Sequence, residues 1–388
     1  MIGLLSRIFI KNRENTADPK VRRAFGMLSG ILGIVLNLIL CGIKLIASVL
    51  TGSVSITADA INNLADAASS LVTLIGFRLA GQKPDPSHPF GHGRIEYLSG
   101  LLVSFMILFM GIELAKNAIL QILDGSPVFF RPVSIVILIM SIAIKLYMYR
   151  YNREIGRRLD SPAVRATAAD CLSDTVSTVA VLVTMLLSLV IPFPLDGWCG
   201  LAVAIFILWS GIRTAKDTLD PLLGAPPDRK FVEQIEQIVL SYPDVLGIHD
   251  LVVHDYGPGR VMVSLHAEIP CTIDILTIHD RIDNIEKHLN RELFCEAVIH
   301  MDPIAIDNPL TTALHQKVIA FAKEIHPSLS IHDFRIVVGE SHTNLIFDMV
   351  IPYGLSASSH EMKETMTRRI KTLDPSYEAV IQIDQLYL

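Results

Sequence analysis

The sequence predicts an α-helical membrane protein, a six-transmembrane-helix bundle followed by an α+β region that is duplicated. Three observations carry that prediction. The chain of 388 residues is 51% hydrophobic, with a mean hydropathy of +0.46, too apolar for a soluble domain that is 19% charged. The apolar runs stop near residue 215, and alternating patterns replace them. Past that point two stretches match at offsets of 82 or 83 residues.

A spanning helix needs about 20 mostly apolar residues. Six such stretches occur, at about 24–50, 54–79, 97–123, 133–149, 162–190 and 198–212. Turn signals separate them at Thr51-Gly52-Ser53, at Asp124-Gly125-Ser126-Pro127 and between Pro192 and Gly197. Asp160-Ser161-Pro162 places a capping residue before a first-turn proline and so starts the fifth helix. Basic residues cluster before the first span (Lys11, Arg13, Lys20, Arg22, Arg23). They recur between the second and third (Lys83, Arg94), between the fourth and fifth (Arg150, Arg153, Arg157, Arg158, Arg165), and after the sixth (Arg213, Lys216, Arg229, Lys230). The opposite loops hold only Arg131. The positive-inside rule then puts both termini in the cytoplasm of a multi-pass plasma-membrane protein.

Gly224-Ala225-Pro226-Pro227 is a boundary, and residues 230–303 follow as helix, strand, strand, helix, strand. The remainder repeats them. IHDLVVHDYGPGRVMVSLHAEIP matches IHDFRIVVGESHTNLIFDMVIP, and EAVIHMD matches EAVIQID. His249 pairs with His332, His266 with Asp348, His300 with Gln382 and Asp302 with Asp384. The expected division is a cytoplasmic N-terminal segment at 1–23, a transmembrane domain at 24–215, a cytoplasmic metal-sensing domain at 216–303 and a second repeat at 304–388. The segment 1–23 lacks the layout of a cleavable signal peptide. A net charge of −6 gives no case for nucleic acid, and five cysteines without C-x-x-C spacing indicate neither a thiolate zinc site nor a disulfide framework. No organic cofactor is expected.

The second span, VSITADAINNLADAASSLVTL, carries Asp59, Asn62, Asn63 and Asp66, and the fifth carries Asp170 and Asp174 in AADCLSDTVS. Ionisable groups at membrane depth are rare and mark functional sites by default. Asn62 and Asp66 share one helix face, as do Asp170 and Asp174. Interhelical hydrogen bonding accounts for a lone Asn. It accounts poorly for three carboxylates, each costing about 2.5–3.5 kcal/mol if charged and unpaired. A divalent cation held by Asn62, Asp66, Asp170 and Asp174 supplies the missing charge. All thirteen histidines lie outside the spans, so the ligands are oxygens, which suit hard ions such as Mn²⁺ better than Zn²⁺. Asp59 and Asn63 are left outside the shell, Lys44 is expected to snorkel, and Glu96 is read as helix-N-terminal charge.

With A-D-A-x-N-N-L-x-D in the second span, D-x-x-x-D in the fifth and D-x-x-H-P-F-G-H-G-R-x-E between the second and third, the chain resembles the cation diffusion facilitator transporters over roughly residues 20–303. The resemblance implies a homodimer of six-helix bundles, each with a cytoplasmic ferredoxin-like domain, exchanging metal for protons. Asn at 62 and Asp at 170, where zinc members carry His or Asp and His respectively, resemble the manganese branch. Asp85, His88 and His92 are two imidazoles and a carboxylate within eight residues, a set able to bind a transition metal; the resemblance implies a second metal site there. It also implies a pairing of Arg94 with Asp220. His249, His266, His300 and Asp302 come from successive strands and match the family's dimer-interface metal positions, with His279 a further candidate. In the second repeat Gln382 replaces a histidine, and that copy is read as structural.

The function expected is efflux of a divalent cation, Mn²⁺ first, by metal–proton antiport. Three crowded carboxylates repel one another and hold protons until metal displaces them. Zn²⁺ or Fe²⁺ export is the alternative within the class, and a membrane-anchored metal sensor is the alternative outside it. An enzyme is not expected, since no H-E-x-x-H or nucleophile motif occurs.

Overall fold

The computed structural model describes residues 18–51, 54–124, 132–187, 195–304, 309–352 and 358–386, with Ile10, Glu14, Thr16 and Leu355 besides. Most of the expected N-terminal segment and of the loops near 125–131 and 188–194 lies outside the described residues. The chain divides into two units, Met1–Ala225 with Asp255–Arg260, and Pro226–His254 with Val261–Leu388.

In the first unit six long helices are described: α1 Pro19–Thr51, α2 Val54–Ala80, α3 Ile95–Asp124, α4 Pro132–Arg158, α5 Pro162–Leu187 and α6 Leu195–Leu219. Five are long and apolar enough to cross a membrane. The exception, α2, is 27 residues long and is diluted by the polar residues that define the site. The sequence ends the fourth span near residue 149, whereas α4 continues to Arg158. Helix geometry needs no lipid, so the Arg-rich run 150–158 extends the rod instead of forming a loop. Asp160 then takes a left-handed φ of 46°. Ser161 caps α5, its Oγ accepting from the Val164 amide at 3.3 Å, with Pro162 in the first turn.

The bundle is apolar outside and polar within. Val49, Phe109, Ile112 and Ile205 are exposed, while Asn37, Ser104, Lys145 and Asn152 are buried. In hydrocarbon the outer apolar face costs nothing, and buried polar groups must satisfy one another. Ser29 donates to Asn152 Oδ1 at 2.5 Å, and the Thr73 and Thr167 hydroxyls pair at 2.9 Å. Close helix approach relies on small residues. A Cβ on Gly30 of α1 would lie 2.8 Å from the Leu74 Cβ of α2.

The second unit holds two α+β modules of the same element order. The first is α7 Arg229–Leu240, β1 Gly247–Asp255, β2 Val261–Pro270, α8 Ile275–Leu293 and β3 Cys295–Ile304. The second is α9 Pro309–Ile325, β4 Ser330–Val338, β5 Thr343–Pro352, α10 Ser359–Leu373 and β6 Tyr377–Leu386. Each makes a three-stranded sheet in chain order. The last two strands of each are parallel, so a helix crosses between them. Alternation buries Val263, Leu265 and Ala267 against Ile282, Ile285 and Leu289. In the second module Leu345, Phe347, Met349 and Ile351 meet Met362, Met366 and Ile370.

Candidate metal centres

Period 3.6 aligns Asp170 with Asp174 on α5 and Asn62 with Asp66 on α2. The tertiary fold then brings Asp66, Asp170 and Asp174 together, each offering a carboxylate oxygen within 4.8 Å of the others. All three are buried. Asn62 joins Asp170 and Asp174 in lining a cavity of about 280 Å³.

Sequence reasoning missed the centre of this site. Lys145 of α4 sends its Nζ to Asp66 Oδ2 and to Asp174 Oδ2, both at 2.7 Å. Lys145 and Asp66 are each only 3% exposed. The carboxylates are therefore not bare in this state, because a tethered ammonium lies between two of them. The signal was present as a lysine amid ILIMSIAIKLYMY, an ionisable group at membrane depth.

Three expectations about neighbouring residues change. Lys44 does not snorkel; it is 2% exposed and pairs with Asp59 at 2.8 Å, and both line the same cavity. Asn63 belongs beside the site, since its Nδ2 donates to Asp66 Oδ2 at 3.3 Å, while its buried Oδ1 has no hydrogen-bond partner. Glu96 is a first-turn charge of α3, as expected, but not only that. It is buried and accepts two hydrogen bonds from Arg22, at 2.7 and 3.2 Å, and one from Ser161 at 2.5 Å.

The loop residues Asp85, His88 and His92 form a second group. Asp85 Oδ1 lies 3.3 Å from His88 Nδ1, and Oδ2 lies 3.4 Å from His92 Nε2. Amide donation to Asp85, from His88 at 2.7 Å and Ser87 at 2.9 Å, builds the turn. The His88 amide is the main reason its carboxyl is held below the usual range. The buried His92 Nδ1 makes no hydrogen bond. Among the described residues no Arg94–Asp220 ion pair forms. Arg94 donates to the Asp255 carbonyl at 2.7 and 3.0 Å and lies over the Tyr256 ring.

In the first α+β module Asp302 is the hub. Its Oδ2 lies 2.9 Å from His266 Nδ1 and 3.1 Å from His249 Nε2, and its Oδ1 lies 3.4 Å from His300 Nε2. Parallel register places His266 beside His300 and Glu268 beside Asp302. His249, His266 and Asp302 form a compact ligand-capable group. His300 sits at its rim, 67% exposed. His279 is exposed on α8 and joins no such group among the described residues.

A helical membrane bundle with a charged, cavity-lining interior, carrying an α+β extension, has the make-up of an ion transporter. Residues 30–223 match the cation efflux transmembrane domain. Residues 227–304 match the cation efflux protein cytoplasmic domain. The chain is 34% identical over 273 residues to an uncharacterised transporter of Methanocaldococcus jannaschii, covering 70% of this chain and 96% of that one. It is 31% identical over 267 residues to the cation-efflux pump FieF of Escherichia fergusonii, covering 68% and 88%. The chain belongs to the cation diffusion facilitator family, whose members move metal cations across membranes and are not enzymes. The matches to both domain models end by residue 304, before the second α+β module.

Proposed function

We propose that the protein exports a divalent cation, with Mn²⁺ as its cargo, in exchange for protons through Asn62, Asp66, Asp170 and Asp174. The observation that carries the reading is the convergence of three buried carboxylates from α2 and α5, two of which, Asp170 and Asp174, line one cavity with Asn62. Their oxygen-only character favours a hard cation. Lys145 gives the site a resting partner. Cargo that takes Asp66 and Asp174 must displace the ammonium, which then swings into the cavity and is rehydrated. Protons arriving from outside neutralise the carboxylates, release the cargo and let Lys145 return. The chain acts as a plasma-membrane homodimer with both termini cytoplasmic, as the distribution of basic residues and the family's cytoplasmic domain support. The Asp85 loop group and the Asp302 group bind metal on the cytoplasmic side and bias the transmembrane conformations.

Proteoliposomes test this. Metal uptake should follow an imposed pH gradient, prefer Mn²⁺ over Zn²⁺, Fe²⁺ and Co²⁺, and vanish in Asp170→Ala. Flux indifferent to the pH gradient would remove the antiport step. Full flux in Asp170→Ala would remove the site.

A further inference from the structure

The second α+β module also carries a ligand set, but an incomplete one. His332 of β4 stands opposite Asp348 of β5, and Asp384 of β6 lies nearby, with Gln382 where the first module has His300. The fourth group comes from the other module. Asp250 of β1 joins His332, Asp348 and Asp384, with one ligand atom from each within 4.8 Å of all the others. We infer that Asp250, His332, Asp348 and Asp384 form a divalent-cation site that fastens the two α+β modules of one chain together.

Distances argue for a metal and against a hydrogen-bond network. His332 Nε2 lies 3.5 Å from Asp384 Oδ2 and 3.9 Å from Asp250 Oδ1, and its Nδ1 lies 4.0 Å from Asp348 Oδ2. These are too long for hydrogen bonds. The two Nε2 distances approach the ~3.3–3.6 Å edges of a tetrahedral shell with bonds of about 2.0–2.2 Å, and Nε2 is the one ring nitrogen that joins that shell. The buried His332 Nδ1 and Asp384 Oδ2 make no hydrogen bond.

His249 is an independent sign. It is 6% exposed, neither ring nitrogen makes a hydrogen bond, its Nδ1 lies 3.5 Å from Asp250 Oδ2, and its ring stacks on His332 with centroids 4.4 Å apart. A buried polar ring without hydrogen bonds, set between the two acidic groups, fits a place where cations complete the coordination. The Asp250 carboxylate thus faces His249 with one oxygen and His332 with the other, the posture of a bridge between neighbouring ions.

The backbone is shaped for this. Asp250 and Asp333, each following the histidine of an Ile-His-Asp triplet, hold φ of 50° and 49°. The left-handed region is unusual for a non-glycine residue and costs energy. In both modules it reorients the strand just after the histidine. One imidazole and three carboxylates make a mixed nitrogen–oxygen site suited to Mn²⁺, Fe²⁺ or Zn²⁺.

Full-length protein in detergent, stripped by chelator, is dialysed to equilibrium with Mn²⁺ and, in a second arm, Zn²⁺. Relative to wild type, Asp348→Asn/Asp384→Asn should bind one cation fewer per chain. Asp250→Asn, which tolerates the left-handed φ, should weaken that same cation at least tenfold. Asp170→Ala should lose a different cation, so failure of the transport reading leaves this result standing. Unchanged stoichiometry in the double variant overturns the site; full affinity in Asp250→Asn overturns the link between modules. Should a variant misfold, wild-type hydrogen exchange decides. Cation must protect residues 248–252 and β4 with one common half-saturation, and protection of one module alone overturns the inference.

Discussion

Replacing Lys145 by Met separates a resting counter-ion from a structural prop. The ammonium makes two bonds of 2.7 Å to buried carboxylates. Hydrogen bonds to charged groups contribute about 1.5–3 kcal/mol each, so displacing Lys145 costs the cargo about 3–6 kcal/mol. Rehydration in the cavity favours the lower end. At 1.4 kcal/mol per tenfold, the lysine weakens cation binding about 100-fold or more. Lys145→Met should therefore tighten Mn²⁺ at the intramembrane site by about 100-fold, measured by calorimetry on detergent-solubilised protein. It should also slow turnover in proteoliposomes, because release becomes harder. The metal-free variant should melt earlier, since breaking a buried pair leaves uncompensated charge worth about 3–5 kcal/mol, and Mn²⁺ should restore the midpoint. A folded Lys145→Met protein with unchanged or weaker Mn²⁺ affinity would refute the competition, leaving Lys145 a structural residue.

Three further expectations follow from the geometry. Asn62→His with Asp170→His should shift transport preference from Mn²⁺ toward Zn²⁺ in parallel flux assays, because imidazole replaces hard oxygen ligands; an unchanged preference would mean ligand hardness does not set selectivity. Gly30→Leu should lower the thermal midpoint, since even its Cβ would lie 2.8 Å from Leu74 and overpacking costs about 1–3 kcal/mol; an unchanged midpoint would show that the helices separate freely there. His315 is stacked on Phe334 with ring centroids 4.9 Å apart, and burial pulls its pKa below the ordinary 6.5. Its neutral form contributes stability above that ordinary value, and the contribution is lost as pH falls through the depressed folded value. His315→Phe should accordingly flatten the acid-side fall in the second module's hydrogen-exchange protection, and matching pH profiles would exclude this role.

Local pattern made much of the protein legible in its sequence. Helix length and hydropathy mark the bundle, because lipid forces each span to satisfy its own backbone. The i,i+4 spacing pairs Asn62 with Asp66 and Asp170 with Asp174, and period-2 alternation marks the sheets. The constant offset between the Ile-His-Asp triplets announces a second module. What remained hidden depends on which faces meet. Lys145 sits 79 residues from Asp66 in the chain, and no spacing rule links a residue on α4 to one on α2. Lys44 looked able to snorkel until α2 placed Asp59 against it. Gln382 made the second module's ligand set look broken, because the fourth group beside it, Asp250, comes from the other module. Charge balance within a low-dielectric interior is a property of neighbours in space, and those neighbours exist only once the helices and sheets have packed.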